Sequence, residues 1–230
     1  MAAMDGIRAI TFDAFGTIVD TGRAVLIGVA GRVVRDHLPA VAPERFLERW
    51  DHHFFAIDHN PFLTLSQATQ RSLGEALGEY GVDADPRPYV ERLQQEWLHA
   101  RAYPEVPEVL EALDGTPMAV VSNADDAMLK EILSRNRLAF DVVVSSEACR
   151  AYKPAAEIFE VAVRELGVPP GEVLHVGDSL DADVAGAQRL GMRTAWVNRA
   201  GEAVRPGGPT PDIVMQDLTG LLPAIRGRRG

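Results

Sequence analysis

The chain has a single cysteine, Cys149, so no internal disulfide can form, which agrees with a reducing compartment. Without a local partner for thiolate chemistry, Cys149 is expected to be a small buried apolar side chain. No run approaches the roughly 18 apolar residues of a membrane span. The opening "MAAMDGIR", with Asp5, lacks an apolar stretch of signal-peptide length. A soluble cytoplasmic protein is the simplest expectation. Positive charge is also scarce: 23 Lys and Arg face 33 Asp and Glu, a formal charge of −10, with no basic block beyond the arginines near the C-terminus. That balance argues against nucleic acid and anionic membranes as partners, since both demand a basic face. Internal repeats, low-complexity tracts and the G-x-x-x-x-G-K-[ST] phosphate loop are absent too, and the last absence excludes P-loop nucleotide chemistry.

What is present is an ordinary globular balance over 230 residues, 47% hydrophobic and 24% charged, enough for one large domain with an insertion or for two small ones. Five short β-rich runs, Ile7 to Phe12, Met118 to Ser122, Asp141 to Ser146, Glu172 to Gly177 and Arg193 to Asn198, read as buried strands, and a last one is expected at Ile213 to Met215, before a short helix and a frayed end. Helical patterns separate the later runs, which predicts an α/β fold with right-handed crossovers and a mainly parallel sheet. Residues 21–100 instead carry four helical stripes, with Thr64 and Gln67 at capping-box spacing and "NPF" at Asn60 to Phe62 as a break. They read as an all-helical cap inserted into a core formed by residues 1–20 and 101–230, placed to cover the C-terminal edge of the sheet. Most of the cap aromatics, among them Trp50, Phe54, Phe55 and Phe62, are expected in its core.

Polar residues gather where the strands end. Asp13 follows the first strand, with Thr17 four residues on; Ser122 and Asn123 end the second; Lys153 follows the third; Asp178, Ser179 and Asp183 follow the fourth. Taken singly, each could be a helix cap, a turn residue or a solvated lysine. In a parallel sheet, however, strand C-termini share one edge, so all these groups can converge on one pocket. Several carboxylates around one lysine leave surplus negative charge that a divalent cation would relieve, and oxygen ligands favour Mg²⁺.

The stretches "FDAFGTIVD", "VVSNAD", "YKPAAEIF" and "VGDSLDADVAGAQRLGM" resemble, in order and over nearly the whole chain, the haloacid dehalogenase superfamily. The resemblance implies a Rossmann-like core with a helical cap and a small-molecule substrate. It implies Asp13 as a nucleophile that forms a covalent intermediate, Lys153 as its neutralising partner, and Thr17, Ser122 and Asn123 as substrate-binding. Mg²⁺ would be held by Asp13, Asp178 and the backbone carbonyl of Phe15, with Asp183 in support. A monomer or a homodimer is expected.

Two branches of the superfamily compete. Its phosphatases usually carry an acid where this chain has Phe15, and loss of a general acid typically costs about 10²- to 10⁴-fold in rate. A halide leaves as a stable anion and needs no proton, so Phe15, like "RAYPEV" and "WVNRAGE", suits a 2-haloacid dehalogenase. Against that stand "GDSLDAD", in phosphatase style, Asp51 where the dehalogenases have a substrate-binding arginine, and Phe159 where they have a tyrosine. A carboxylate substrate beside Asp13, Asp178 and Asp51 would be electrostatically costly. The weight therefore falls on a Mg²⁺-dependent phosphatase acting on a small phosphorylated metabolite, with His37, Asp51, His52, His53, Asp58 and His59 as candidate replacement acids in the cap. A 2-haloacid dehalogenase is the alternative, and a non-catalytic binding protein on the same fold the second.

Overall fold

The computed structural model describes residues 6–203 and 206–223. The N-terminal stretch around Asp5 and the expected frayed end at Arg226 to Gly230 lie outside those residues. Six strands form one parallel sheet: β1 (Ala9–Phe12), β2 (Met118–Ser122), β3 (Val142–Ser145), β4 (Val173–Gly177), β5 (Arg193–Val197) and β6 (Ile213–Met215), in the spatial order β3-β2-β1-β4-β5-β6. This is a Rossmann order, and the sheet is parallel, as the alternating pattern predicts. The central strands are buried throughout, as their Val-, Ile- and Ala-rich runs require when both faces are covered. Parallel register sets Phe12 beside both Val120 and Val176, so the chain leaves β1 and β4 side by side at the point where the strand order reverses.

The chain divides into two compact units, one of Met1–Asp20 with Arg101–Gly230 and the other of Thr21–Ala100. In the sheet-bearing unit, α5 (Val106–Ala112), α6 (Asp126–Arg135), α7 (Ser146–Cys149), α8 (Ala156–Leu166) and α9 (Ala185–Arg189) link or follow the strands. The stripe Ile158, Phe159, Ala162 and Val163 of α8 packs with Ala119, Val121 and Val144 of the sheet. Cys149, which closes the single-turn α7, is half-buried and packs against this cluster, and burial pushes its thiol pKa up.

The second unit holds four helices, α1 (Arg23–His37), α2 (Pro43–Phe55), α3 (Leu65–Glu79) and α4 (Arg87–Leu98), around a core that includes Val33, Phe46, Trp50, Leu73, Leu77 and Leu93. Both capping-box bonds of α3 form, Gln67 N–H to Thr64 Oγ1 at 3.2 Å and Thr64 N–H to Gln67 Oε1 at 3.0 Å. Trp50 donates its indole N–H to Ser72 Oγ at 3.0 Å, which satisfies the polar edge of a buried ring. The other aromatics are less enclosed than expected. Phe55, the last residue of α2 and off the stripe that includes Phe46 and Trp50, is 83% exposed, and Phe54 and Phe62 are half-buried.

In α9, Gly186 lies against α8: a Cβ there would sit 2.6 Å from Phe159 Cε2 and 3.0 Å from Pro154 Cα. Gly186→Ala is therefore expected to lower stability by about 1 to 3 kcal/mol through overpacking, measured by urea unfolding. An unchanged midpoint would mean that the α8–α9 contact yields freely.

Candidate active site

The ladder between β1 and β4 continues one residue beyond β1, where Asp13 N–H donates to Val176 O at 2.9 Å. This places a carboxylate that is only 4% exposed at the sheet's C-terminal edge. The chain then turns: Ile18 and Val19 both donate to Ala14 O, Gly16 N–H donates to Val19 O, and Phe15 lies within this turn. Gly16 has φ +87°, and a Cβ there would lie 2.1 Å from Asp178 Oδ2. Only glycine meets both demands, so the loops after β1 and β4 touch through it. The other side of the turn is held by Arg199, a residue the sequence motifs did not single out. Its guanidinium donates to Gly16 O (3.2 Å), Thr17 O (2.8 Å) and Glu105 Oε1 (2.7 Å), and stacks 3.5 Å over the Tyr103 ring.

Lys153, 6% exposed, reaches the same point from the loop before α8, with Nζ 2.5 Å from Asp13 Oδ1 and 2.6 Å from Asp183 Oδ1. Asn123 clamps the lysine's backbone, accepting from Lys153 N–H at 2.7 Å and donating to Lys153 O at 3.3 Å. The structure thus gives Asn123 a positioning contact on the Lys153 backbone. Ser122 Oγ donates to Asp13 Oδ1 at 3.3 Å. The other carboxylate oxygen, Asp13 Oδ2, has no hydrogen-bond partner, and neither has Thr17 Oγ1, although both are buried. Buried polar atoms without partners are uncommon and mark a place where another molecule binds.

Asp183 is turned inward by a π-helical turn, Leu180–Val184, in which Asp183 N–H and Val184 N–H both donate to Ser179 O. Ser179 N–H donates to Asp183 Oδ2 at 2.9 Å and the ring of His175 lies 3.2 Å from Oδ1. Asp178 lies at the solvent-facing rim, its backbone carbonyl held by the Trp196 indole at 2.8 Å. The residues singled out at four strand ends in the sequence therefore meet at one edge. His175, inside β4, and Arg199 were missed: a histidine within an apolar strand and an arginine past a strand end carry no spacing signal.

Burial raises the Asp13 pKa, and the Asp183 charge adds to the rise while Lys153 opposes it. Burial also acts against ionised Asp183 and Lys153, but for each the opposite charge wins: Lys153 and His175 hold Asp183 well below the usual carboxylate range, and Asp13 and Asp183 hold Lys153 above its ordinary value. Asp178 is pushed up to about 8, first by the protein around its carboxylate and then by the charges of Asp13 and Asp183. Since the residue keeps a solvent-exposed edge, ionic strength screens part of that shift. The direction is clear: Asp178 holds its proton more tightly than an ordinary aspartate.

Carboxylate oxygens of Asp13, Asp178 and Asp183 lie within 4.8 Å of one another, the one such cluster of potential metal ligands among the described residues. Hard oxygen donors fit Mg²⁺, and the unpartnered Asp13 Oδ2 beside Asp178 leaves acceptor capacity for it. The Asp183 oxygens are already taken by Lys153, His175 and Ser179. The expected cap acids have their own contacts: Asp51 pairs with Arg23 at 3.1 Å, His53 with Glu79 at 2.9 Å, and His37 with Tyr89 at 2.9 Å.

A family model described as haloacid dehalogenase-like hydrolase matches residues 7–191. The chain is 31% identical over 208 residues to (S)-2-haloacid dehalogenase 4A of Burkholderia cepacia, covering 86% of each protein. It superposes on the L-2-haloacid dehalogenase of Xanthobacter autotrophicus with a TM-score of 0.76 at 25% identity, covering 96% of this chain and 99% of that one. A phosphoglycolate phosphatase of Escherichia coli O157:H7 matches at 26% identity over 245 residues, covering 98% of this chain and 95% of that protein. Further relatives and structures carry the haloacid dehalogenase name. These similarities overturn the expectation of a Mg²⁺-dependent phosphatase. The physical fault lies in counting Asp178 as an ordinary aspartate: the surrounding protein and the charges of Asp13 and Asp183 push its pKa up, which weakens the electrostatic objection to a carboxylate substrate.

The same shift sets a pH dependence. Folded Asp178 binds its proton more tightly than the unfolded chain, whose value is near 3.8, so its contribution to stability is complete below about pH 4 and lost as pH rises through about 8. Thermal unfolding from pH 5 to pH 9 is expected to show a fall in midpoint that Asp178→Asn flattens. Parallel slopes in the two proteins would show that Asp178 is already ionised at neutral pH.

Proposed function

Because the chain belongs to the haloacid dehalogenase-like hydrolase family, we propose that it is a 2-haloacid dehalogenase acting on the (S)-enantiomer of a short 2-halocarboxylate. The observation that carries this reading is the division of labour within one carboxylate: Asp13 Oδ1 is held by Lys153 and Ser122, while Oδ2 is buried without a partner. Oδ2 attacks the carbon that bears the halogen. A C–O ester bond forms, the C–X bond breaks, and the halide leaves with the bonding electron pair. Water then adds to the Asp13 carboxyl carbon, the acyl–oxygen bond breaks, and the 2-hydroxy acid departs as the Asp13 carboxylate reforms with release of one proton.

Lys153 supports both halves, lowering the charge on Asp13 in the resting site and stabilising the oxyanion that develops on ester hydrolysis. Thr17 Oγ1, buried without a partner, offers a hydrogen bond to the reacting group. Phe15 supplies no proton, and none is needed, since halide is a stable leaving group. Asp51, whose charge stood against a carboxylate substrate, is matched by Arg23 in a partly exposed pair and contributes little net field. Mg²⁺, if bound, would be held by Asp13 and Asp178 and would neutralise part of their charge; the displacement by Asp13 needs no proton donor or metal to expel the halide.

Incubation with (S)-2-chloropropionate is expected to release chloride in EDTA as well as in Mg²⁺, and Asp13→Asn is expected to lower the rate by about 10³-fold or more. Single turnover in H₂¹⁸O, followed by mass spectrometry of the Asp13 peptide, is expected to place ¹⁸O in Asp13. Label found first in the hydroxy acid would mean that water attacks the substrate carbon directly, and no chloride release from any short 2-haloacid would overturn the assignment.

A further inference from the structure

Among the described residues, the buried titratable side chains are Asp13, Lys153, Asp183 and His175. The reaction above gives His175 no part. It is the third residue of β4, in register with Thr11 of β1 and Thr194 of β5, and the Phe159 ring meets it edge-on at 5.0 Å between centroids. A polar ring in the middle of an apolar sheet is costly unless both its nitrogens are paired, and both are. Nδ1 lies 2.8 Å from Thr11 Oγ1 and Nε2 lies 3.2 Å from Asp183 Oδ1. Ionised Asp183 can only accept hydrogen bonds, so the contact requires the proton on Nε2. Nδ1 then faces the Thr11 hydroxyl, which can pair with it.

Asp183 consequently receives three donors: Lys153 Nζ and His175 Nε2–H on Oδ1, and Ser179 N–H on Oδ2. Without the histidine, nothing on the β4 side restrains Oδ1. A lysine ammonium has no preferred rotation of its own and goes where its acceptors are; here these are Asp183 Oδ1 and Asp13 Oδ1. We propose that His175 is a positioning residue of the reaction, fixing the Asp183 carboxylate so that Lys153 stays on Asp13 Oδ1 and leaves Oδ2 free to react. The line of contact runs from Thr11 in β1 through His175, Asp183 and Lys153 back to Asp13 at the end of β1, which makes the sheet itself the template for the nucleophile.

The kinetic part of the test rests on the dehalogenase reading; the spectroscopic part does not. Replacing both members of the cross-strand pair, Thr11→Val with His175→Phe, leaves no orphaned hydroxyl and keeps a ring against Phe159. This variant is expected to lose up to ~10²-fold in kcat with KM changed less than about twofold. His175→Gln, which keeps an N–H within reach of Asp183, is expected to recover most of the loss. In an Asp183→Asn background the double substitution is expected to have no further effect on kcat, whereas losses that multiply would overturn the proposal. Independently of any substrate, ¹⁵N-histidine NMR of the intact protein is expected to show the Nε2–H tautomer, with a signal displaced by Asp183→Asn. An Nδ1–H tautomer, or a signal indifferent to Asp183, would overturn the proposal even if chloride is released. Absence of chloride release with the expected NMR result would instead remove the dehalogenase reading and leave the His175 contact standing.

Discussion

A buried ammonium between two buried carboxylates governs this site. Moving a lysine charge out of water costs several kcal/mol, and the cost is offset only where opposite charges and hydrogen bonds replace its hydration. Lys153 meets that condition with Asp13 on one side and Asp183 on the other. The three must come together or not at all: without the lysine, two carboxylates would face each other in a low dielectric. Much of the local architecture holds the three loops that bring them, namely the Gly16 turn after β1, the Asn123 clamp on the Lys153 backbone, and the π-helical turn after β4.

That arrangement makes the two oxygens of Asp13 unequal. One is neutralised and immobilised, the other is buried without a partner. A carboxylate free to rotate in water would be a weak nucleophile, solvated equally on both oxygens. Here desolvation raises its pKa while Lys153 opposes that rise, so reactivity and availability are set by the same neighbours. Asp178 is the release for the surplus charge. Its pKa is pushed up by the surrounding protein and by the charges of Asp13 and Asp183, so the site carries less negative charge than three ordinary aspartates would.

Much of this could be read before any coordinates. The apolar runs ending in Asp13, Ser122 and Asp178 predicted strands whose C-termini share an edge, and the order of the motifs resembled one superfamily, to which the chain does belong. The helical stripes and the Thr64–Gln67 capping box were legible because periodicity and cap chemistry are local properties. The branch was not legible. "GDSLDAD" counts as three charges in a string of letters, and the sequence contains nothing to say that the pKa of Asp178 is pushed up while that of Asp183 is held down.

His175 and Arg199 mark the same boundary from another side. His175 matters because parallel register sets it beside Thr11 and a π-helical turn brings Asp183 back to it; Arg199 matters because it caps carbonyls more than 180 residues away in the chain. By itself the sequence determined the strand and helix order, the family, and which polar residues would share the sheet edge, since these follow from short-range pattern and parallel topology. Tertiary structure alone decided which carboxylate has its pKa raised and which lowered, which oxygen of Asp13 is free, and which residues hold Lys153 in place. Those properties depend on burial and on distances of about 3 Å between groups far apart in the chain, and no local pattern encodes either.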